Sequence, residues 1–166
     1  MKDLNYMNIA EDAISKIKKG AFLTVKAAEA LNTMTIGWAT IGFIWQKPIM
    51  MVAVRSSRYT FGIIEKAHDF TVTIPSGDMG KALAFCGTKS GRDVDKFKMC
   101  NLETADGLNV VSPIIKMPGI HYECKIIYKS ATNPAHLDKK YDEALYPQKD
   151  YHTLYFGEIM ACYETE

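Results

Sequence analysis

Residues 32–60 constrain the fold most, because they predict two long strands joined by a tight turn. The strands are rich in Thr, Ile, Val, Trp and Phe, and Gln46-Lys47-Pro48 supplies the turn. A polar, cationic segment at residues 55–60 then leads into a helix, and both guanidinium groups and a helix start bind phosphate oxygens. These residues alone allow a flat apolar ligand with its phosphate at 55–60, or a buried hairpin with a solvated basic turn.

Size and composition describe an ordinary globular chain. With 166 residues and 48% hydrophobic residues, we expect one domain over residues 1–166. The net charge of +1 gives no reason to expect nucleic acid or an anionic membrane as partner. The strongest apolar run, residues 36–45, is too short to span a membrane. Acidic residues stand where a signal peptide would be apolar, so we expect a cytoplasmic location.

The four cysteines are Cys86, Cys100, Cys124 and Cys162. None forms a CxxC pair, and no histidine lies at zinc-ligand spacing to them, so the sequence predicts no metal site. Cys124 and Cys162 fall in predicted strands and are most simply small core residues. A disulfide framework is not expected in a cytoplasmic chain of this size.

The remaining elements are mostly strands. Helices are predicted over residues 8–19, 59–67 and 79–85, and further strands over 21–27, 69–74, 112–116, 120–130 and 151–163. In the 120–130 strand, alternation predicts a buried face with Tyr122 and Cys124 and an opposite face with His121 and Glu123. Residues 132–150 form a polar, aromatic excursion with one helical turn. Without βαβ alternation, an antiparallel barrel with helical insertions follows.

Residues 86–97 (CGTKSGRDVDKF) are the second informative stretch. Two glycines, hydroxyls and cations precede a helix start predicted at Asp93 or Val94. The spacing is not that of a Walker loop. The stretch could supply N–H groups and an arginine to an anion, or be a connector in which Asp93 caps a helix.

Four motifs together resemble one known family. They are N-x-M-T-x-x-W at 32–38, V-R-x-S-R-Y-T at 54–60, C-G-x-x-S-G-R-D-V-D-K-F at 86–97, and D-x-H followed by F-G-E-I at 150–159. Nearly the whole chain resembles the flavin reductase-like family, which includes flavoredoxins. The resemblance implies a mainly β fold, an antiparallel split β-barrel with short helical insertions that binds FMN, and a homodimer.

The resemblance also implies where FMN would bind. Residues 35–39 would run beside the isoalloxazine ring, residues 55–60 would hold the phosphate, and residues 86–96 would close over the cofactor. His152 would lie near the flavin, or be a surface histidine at a strand end. Ser56 stands where relatives often have proline. The implied cofactor-binding residues are Asn32, Met34, Thr35, Ile36, Gly37, Trp38, Ala39, Arg55, Ser57, Arg58, Thr60, Cys86, Gly87, Ser90, Gly91, Arg92, Asp95, Lys96 and His152.

The implied chemistry belongs to the cofactor. Reduced nicotinamide, from NADH or NADPH, would pass a hydride to flavin N5 with no obligatory protein acid or base, so no catalytic residue is assigned. Cys86 has no adjacent histidine to activate it and is interpreted as a site-lining or structural cysteine. Three functions stay open: an NAD(P)H-dependent flavin reductase, an electron carrier that serves a redox protein, and a flavin-binding protein without turnover. No separate Rossmann motif is present, and that absence does not choose among them.

Overall fold

The computed structural model describes all 166 residues as ten strands and five α-helices, with one 3-10 turn at Pro134–His136. In chain order the elements are β1 (Lys2–Asp3), α1 (Tyr6–Ile17), β2 (Ala21–Ala27), β3 (Ala30–Ile36), β4 (Ala39–Ile44), β5 (Lys47–Arg55), α2 (Tyr59–Ile64), β6 (Asp69–Pro75), α3 (Gly80–Thr88), α4 (Lys96–Met99), β7 (Thr104–Ala105), β8 (Ile114–Ile115), β9 (Gly119–Ala131), α5 (Lys139–Leu145) and β10 (His152–Thr165). The longest helix, α1, has 12 residues, which is shorter than a helix needs to be to cross a bilayer.

The strands form one antiparallel sheet in the order β3-β2-β6-β9-β10-β5-β4, and β1 adds to the end of β10. β7 and β8 pair separately. The two ends of the path, β3 and β4, are consecutive in sequence but do not pair with each other. The sheet therefore curls without closing. The mainly β fold with short helices is confirmed.

The chain between β3 and β4 changes direction at Gly37 and Trp38. The single long strand predicted over this region is therefore wrong. β3 pairs with β2, whereas β4 pairs with β5, so β3 and β4 lie at opposite ends of the sheet. The following turn lies at Trp45 and Gln46, which have φ of 52° and 58°. Positive φ at two successive residues suits a two-residue hairpin, so Lys47 begins β5 and the predicted turn at 46–48 is one residue late.

Two helix starts also differ from the prediction, and capping explains both. α1 begins at Tyr6 because the Asn5 side chain accepts a hydrogen bond from Met7 N. α4 begins at Lys96, after the predicted starts at 93 and 94. The Asp95 carboxylate accepts from the N–H groups of residues 97 and 98, so Asp95 is the cap.

Several other boundaries move by a few residues. α2 ends at Ile64, before the predicted 67. α3 continues to Thr88, so Cys86 and Gly87 are helical and do not belong to a loop. Only Ile114–Ile115 of the predicted 112–116 strand pairs, because its partner β7 has two residues.

The core lies inside the curled sheet, under α1 and α2, and its largest members include Phe70, Tyr122 and Tyr155. His121 and Glu123 are also fully buried, so the prediction that only one face of this strand is buried is wrong. The loop between β7 and β8 covers the second face, and Glu123 accepts hydrogen bonds from Leu108 N and Asn109 N. These bonds satisfy the buried carboxylate.

Candidate functional site

Two neighbouring cavities lie along β3 and the bend that follows it. The first, the cationic cavity, has a volume of about 120 Å³. The second, the bend cavity, has a volume of about 200 Å³ and surrounds the Gly37-Trp38 bend. Met34 and Arg58 line both, so the cavities adjoin. The cationic cavity is lined by Asn32, Met34, Ser57, Arg58, Tyr59, Thr60, Cys86, Thr88, Lys89, Ser90, Gly91, Arg92 and Lys96. The bend cavity is lined by Met34, Thr35, Ile36, Gly37, Trp38, Ala53, Arg55, Arg58 and His152.

The wall of the cationic cavity is built by close packing around Gly91. Asn32 on β3 donates to Thr60 Oγ1 on α2 over 2.8 Å. A Cβ at Gly91 would overlap Asn32 Oδ1 and lie 2.7 Å from Tyr59 Cδ1. The 89–95 loop therefore approaches β3 and α2 so closely that only glycine fits at this position.

The side chains that line the cationic cavity carry positive charge, and a carboxylate next to the lining, Asp150, accepts a hydrogen bond from Ser57. Arg58, Lys89, Arg92 and Lys96 line it, and no Asp or Glu does. Arg58 Nη1 donates to Gly87 O over 2.9 Å, and Arg92 Nη1 donates to Ser57 O over 3.1 Å. Each guanidinium keeps further N–H donors, because it has five. Such donors beside backbone amides and hydroxyls suit an anion.

Lys96 has a structural role in this wall. It is buried, and its Nζ donates to Thr33 O and Cys86 O over 3.0 and 2.8 Å. Burial lowers the pKa of Lys96, while the nearby Cys86 favours the charged form. The ammonium thus ties α4 to β3 and α3.

Arg55 faces the excursion instead of the cationic cavity. Its guanidinium donates to Asp150 O over 3.2 Å and to Leu145 O over 3.0 Å. The Asp150 carboxylate accepts hydrogen bonds from Ser56 Oγ and Ser57 Oγ over 3.0 and 2.6 Å. These bonds hold the end of the excursion against the end of β5.

The bend cavity places His152 beside Trp38. Their ring centroids lie 4.8 Å apart, and His152 pairs with Arg55 in the β10–β5 ladder. Burial, followed by the positive charge of Arg55, lowers the pKa of His152 to about 4. The imidazole is therefore neutral at pH 7. Tyr146 OH lies 2.7 Å from His152 Nδ1.

The two cavities bring together most of the residues implied by the sequence. Outside them, Ala39 begins β4, the Gly87 carbonyl accepts from Arg58, and Asp95 caps α4. The residues brought to the cavities are Asn32, Met34, Thr35, Ile36, Gly37, Trp38, Arg55, Ser57, Arg58, Thr60, Cys86, Ser90, Gly91, Arg92, Lys96 and His152.

The structure also adds lining residues that the sequence reasoning missed: Ala53, Tyr59, Thr88 and Lys89. Tyr59, Thr88 and Lys89 lie inside motifs already singled out, so contiguity with the motif could have found them. Ala53 had no local signal, because its position depends on pairing of β5 with β4 and β10.

Cys86 is a packing residue. It is buried, and burial raises the pKa of its thiol to about 12. The thiolate required of a nucleophile is therefore scarce at neutral pH. No group of His, Cys, Asp and Glu in the chain is arranged to hold a metal ion.

Comparison with known families gives the broader class. The family described as "Flavin reductase like domain" matches residues 18–166. The chain belongs to this family. The match covers nearly all of the sheet and both cavities.

Individual relatives of this flavin reductase-like chain are distant. An uncharacterised protein of Archaeoglobus fulgidus is 27% identical over 139 residues, which are 84% of this chain and 68% of that protein. A flavoredoxin from Methanosarcina acetivorans is 26% identical, with a TM-score of 0.70 over 89% of this chain and 68% of its own. An FMN-binding protein from Thermus thermophilus, solved with bound p-hydroxybenzaldehyde, is 24% identical with a TM-score of 0.68 over 89% of this chain and 71% of that one, and shares the fold.

Proposed function

We propose that this chain binds FMN across the two cavities, with the phosphate in the cationic cavity and the isoalloxazine ring in the bend cavity. The observation that carries the proposal is the shared wall at Met34 and Arg58, which joins a cationic, carboxylate-free cavity to one lined by a strand bend. A phosphate at one end of a flat, partly apolar ring system fits this pair. The family to which the chain belongs supports the same assignment.

In this proposal the phosphate oxygens accept from the guanidinium groups of Arg58 and Arg92, with Ser90 and Lys89 beside them. Two arginines in one lining that contains no carboxylate provide charge-assisted hydrogen bonds. Asn32 and Thr60 bond to each other, so they position the wall. Backbone groups at residues 35–38 would meet the polar edge of the ring.

The activity we propose is that of an NAD(P)H-dependent flavin reductase. FMN, when bound, supplies a position, N5, that accepts a hydride from reduced nicotinamide. The chain would bind and orient the two rings, and a neutral His152 would add no charge beside them. Structural relatives include a Streptomyces globisporus NADH:FAD oxidoreductase, which supports the proposal only at the level of fold because it is 18% identical.

A second candidate is a flavoredoxin-like electron carrier that keeps FMN and serves a redox protein. The 26% identical flavoredoxin favours it. So does an exposed aromatic group near the β4–β5 turn, in which Trp45 lies 5.3 Å from Tyr128 and 5.8 Å from Phe156 between ring centroids. Exposed aromatic side chains are common where proteins dock.

The test is the visible absorption spectrum of the purified, FMN-loaded protein under anaerobic conditions. Bleaching of the flavin bands by NADH or NADPH at a catalytic rate would support the reductase and identify its donor. Bands that persist with both nucleotides but bleach with dithionite would support the carrier. Failure of the protein to bind added FMN would overturn both.

We also propose that residues 1–166 act as one domain and that the chain forms a homodimer. One continuous sheet runs through the chain, which supports the single domain. β4 is an edge strand that exposes Phe43 and Ile44, and Trp45 in the turn after it is exposed as well. An exposed apolar edge strand favours pairing with another chain.

The four free cysteines support a reducing, cytoplasmic location.

A further inference from the structure

The excursion at residues 132–150 reaches the bend cavity through one side chain, Tyr146. Tyr146 is buried at the end of α5, and its ring stacks on Tyr151 and under the Arg55 guanidinium. Its hydroxyl lies 2.7 Å from His152 Nδ1, with the Thr132 side chain and the His152 backbone also nearby. This contact links the excursion, which the proposed function leaves without a role, to the cavity wall.

The direction of this hydrogen bond follows from what each group can do. Burial raises the pKa of Tyr146, so the phenol keeps its proton. The Thr132 side chain and the His152 backbone also lie near the Tyr146 oxygen and lower the pKa of the phenol, which is the effect of donors, so Nδ1 of His152 is the acceptor at hydrogen-bond distance. A buried O–H proton is rarely left unpaired. The neutral imidazole of His152 offers a lone pair on only one of its two nitrogens. Donation from Tyr146 to Nδ1 therefore places the imidazole proton on Nε2.

Nε2 of His152 is accessible to solvent. It has no hydrogen-bond partner in the protein, and the only side-chain polar atom that is both buried and unpartnered is the Tyr122 hydroxyl. His152 lines the bend cavity next to Trp38. The N–H group at Nε2 of His152 can therefore donate a hydrogen bond to a ligand that binds beside the Gly37-Trp38 bend.

We propose that Tyr146 is a positioning residue that holds His152 in the Nε2–H tautomer, so that His152 presents a hydrogen-bond donor to a carbonyl oxygen of a second ligand bound against the flavin. The oxygen could belong to the carboxamide of a nicotinamide or to a carbonyl compound reduced by the flavin. The ligand part rests on the proposed function, whereas the tautomer does not.

The tautomer is tested on the FMN-free protein by long-range 1H–15N correlation spectra of 15N-histidine-labelled samples. His152 is assigned by the signals lost in His152→Gln. We expect a single Nε2–H pattern in the unaltered protein and in Tyr151→Phe, which removes a neighbouring phenol that bonds to Asp142. Tyr146→Phe should show averaging between the two tautomers. An Nδ1–H pattern, or a Tyr146→Phe spectrum identical to that of the unaltered protein, overturns the proposal.

The ligand part is tested by titrating FMN-loaded protein with two matched pairs: nicotinamide against 3-methylpyridine, and p-hydroxybenzaldehyde against p-cresol. Each pair differs in the carbonyl group. We expect Tyr146→Phe to lower the affinity for a carbonyl ligand by roughly two- to tenfold, the size of one net hydrogen bond. The affinity for the matched compound without the carbonyl group should stay unchanged. The pair whose carbonyl member binds more weakly to Tyr146→Phe shows which kind of ligand supplies the carbonyl oxygen. No binding of either carbonyl ligand, or equal affinities in both proteins, overturns the ligand part, while loss of FMN binding itself would count against the proposed function.

Discussion

Asn32 Nδ2 donates to Thr60 Oγ1 over 2.8 Å, and both side chains are buried. The bond joins the interior of β3 to the first turn of α2, and the other face of the Asn32 amide packs against Gly91. Three segments that are far apart in sequence therefore meet at one amide. The cationic cavity depends on this meeting point, because all three segments line it.

The fit at Gly91 predicts a strong effect of one added methyl group. In Gly91→Ala the Cβ must displace Asn32 or Tyr59, and we expect a loss of about 1–3 kcal/mol in the free energy of unfolding together with weaker FMN binding. Urea unfolding and an FMN titration measure the two effects. Gly62→Ala is the matched control, since a Cβ there meets nothing within 4 Å. Equal stability of the two variants would contradict the packing described here.

Arg58 predicts discrimination between FMN and riboflavin. Removing its charge in Arg58→Gln should lower the affinity for FMN by roughly 10- to 150-fold, the size of a charge-assisted hydrogen bond. The affinity for riboflavin should stay almost unchanged. Fluorescence titration with both ligands measures the difference. Lys125→Gln, an exposed cation on β9, controls for net charge. A similar loss for both ligands would show that the phosphate is not at Arg58.

Arg55 predicts a different outcome, although the sequence assigns it to the phosphate as well. Its donors are directed to Leu145 O and Asp150 O. We therefore expect Arg55→Ala to reduce FMN affinity less than Arg58→Ala does, and to loosen the excursion. Hydrogen exchange of the amides at residues 139–151 measures that loosening. If hydrogen exchange is unchanged and Arg55→Ala greatly lowers the affinity for FMN but not for riboflavin, then Arg55 binds the phosphate.

His152 predicts acid sensitivity. Burial first, and then the charge of Arg55, lowers its pKa from an ordinary value of 6.5 to about 4 in the folded protein. Between pH 6.5 and 4 the unfolded chain binds the proton more tightly, so this contribution is present above pH 6.5 and is lost as the pH falls toward 4. The difference in unfolding free energy between pH 7.5 and 4.5 should shrink in His152→Gln. His136→Gln, at an exposed position, should keep the full difference, and equal differences in the two variants would exclude this assignment.

The edge strand β4 predicts a monomeric variant. Phe43 is 65% exposed on the edge of the sheet, and a charge there would be desolvated in a dimer. We expect Phe43→Glu to sediment as a monomer under conditions in which the unaltered protein is a dimer. Met7→Glu, at a 66% exposed methionine on α1, is the control. If Phe43→Glu remains dimeric, the interface lies elsewhere.

The sequence by itself determined the strands with strong local patterns. β2 lies at Ala21–Ala27, as the sequence predicts, and β6 extends the prediction by one residue to Pro75. β-branched and aromatic residues favour strands wherever they pack, so these elements need no distant information. The motifs at 32–38, 54–60 and 86–97 likewise named most of the residues that the cavities share.

Only the tertiary structure decided how these pieces meet. The break at Gly37 and Trp38 follows from β3 and β4 pairing with different partners, which no local pattern encodes. The contacts of Arg55 with Leu145 and Asp150 join residues 90 and 95 positions apart. Chain reversal and sheet curvature set such contacts, since the spatial distance between distant residues depends on the whole fold and not on their neighbours in sequence.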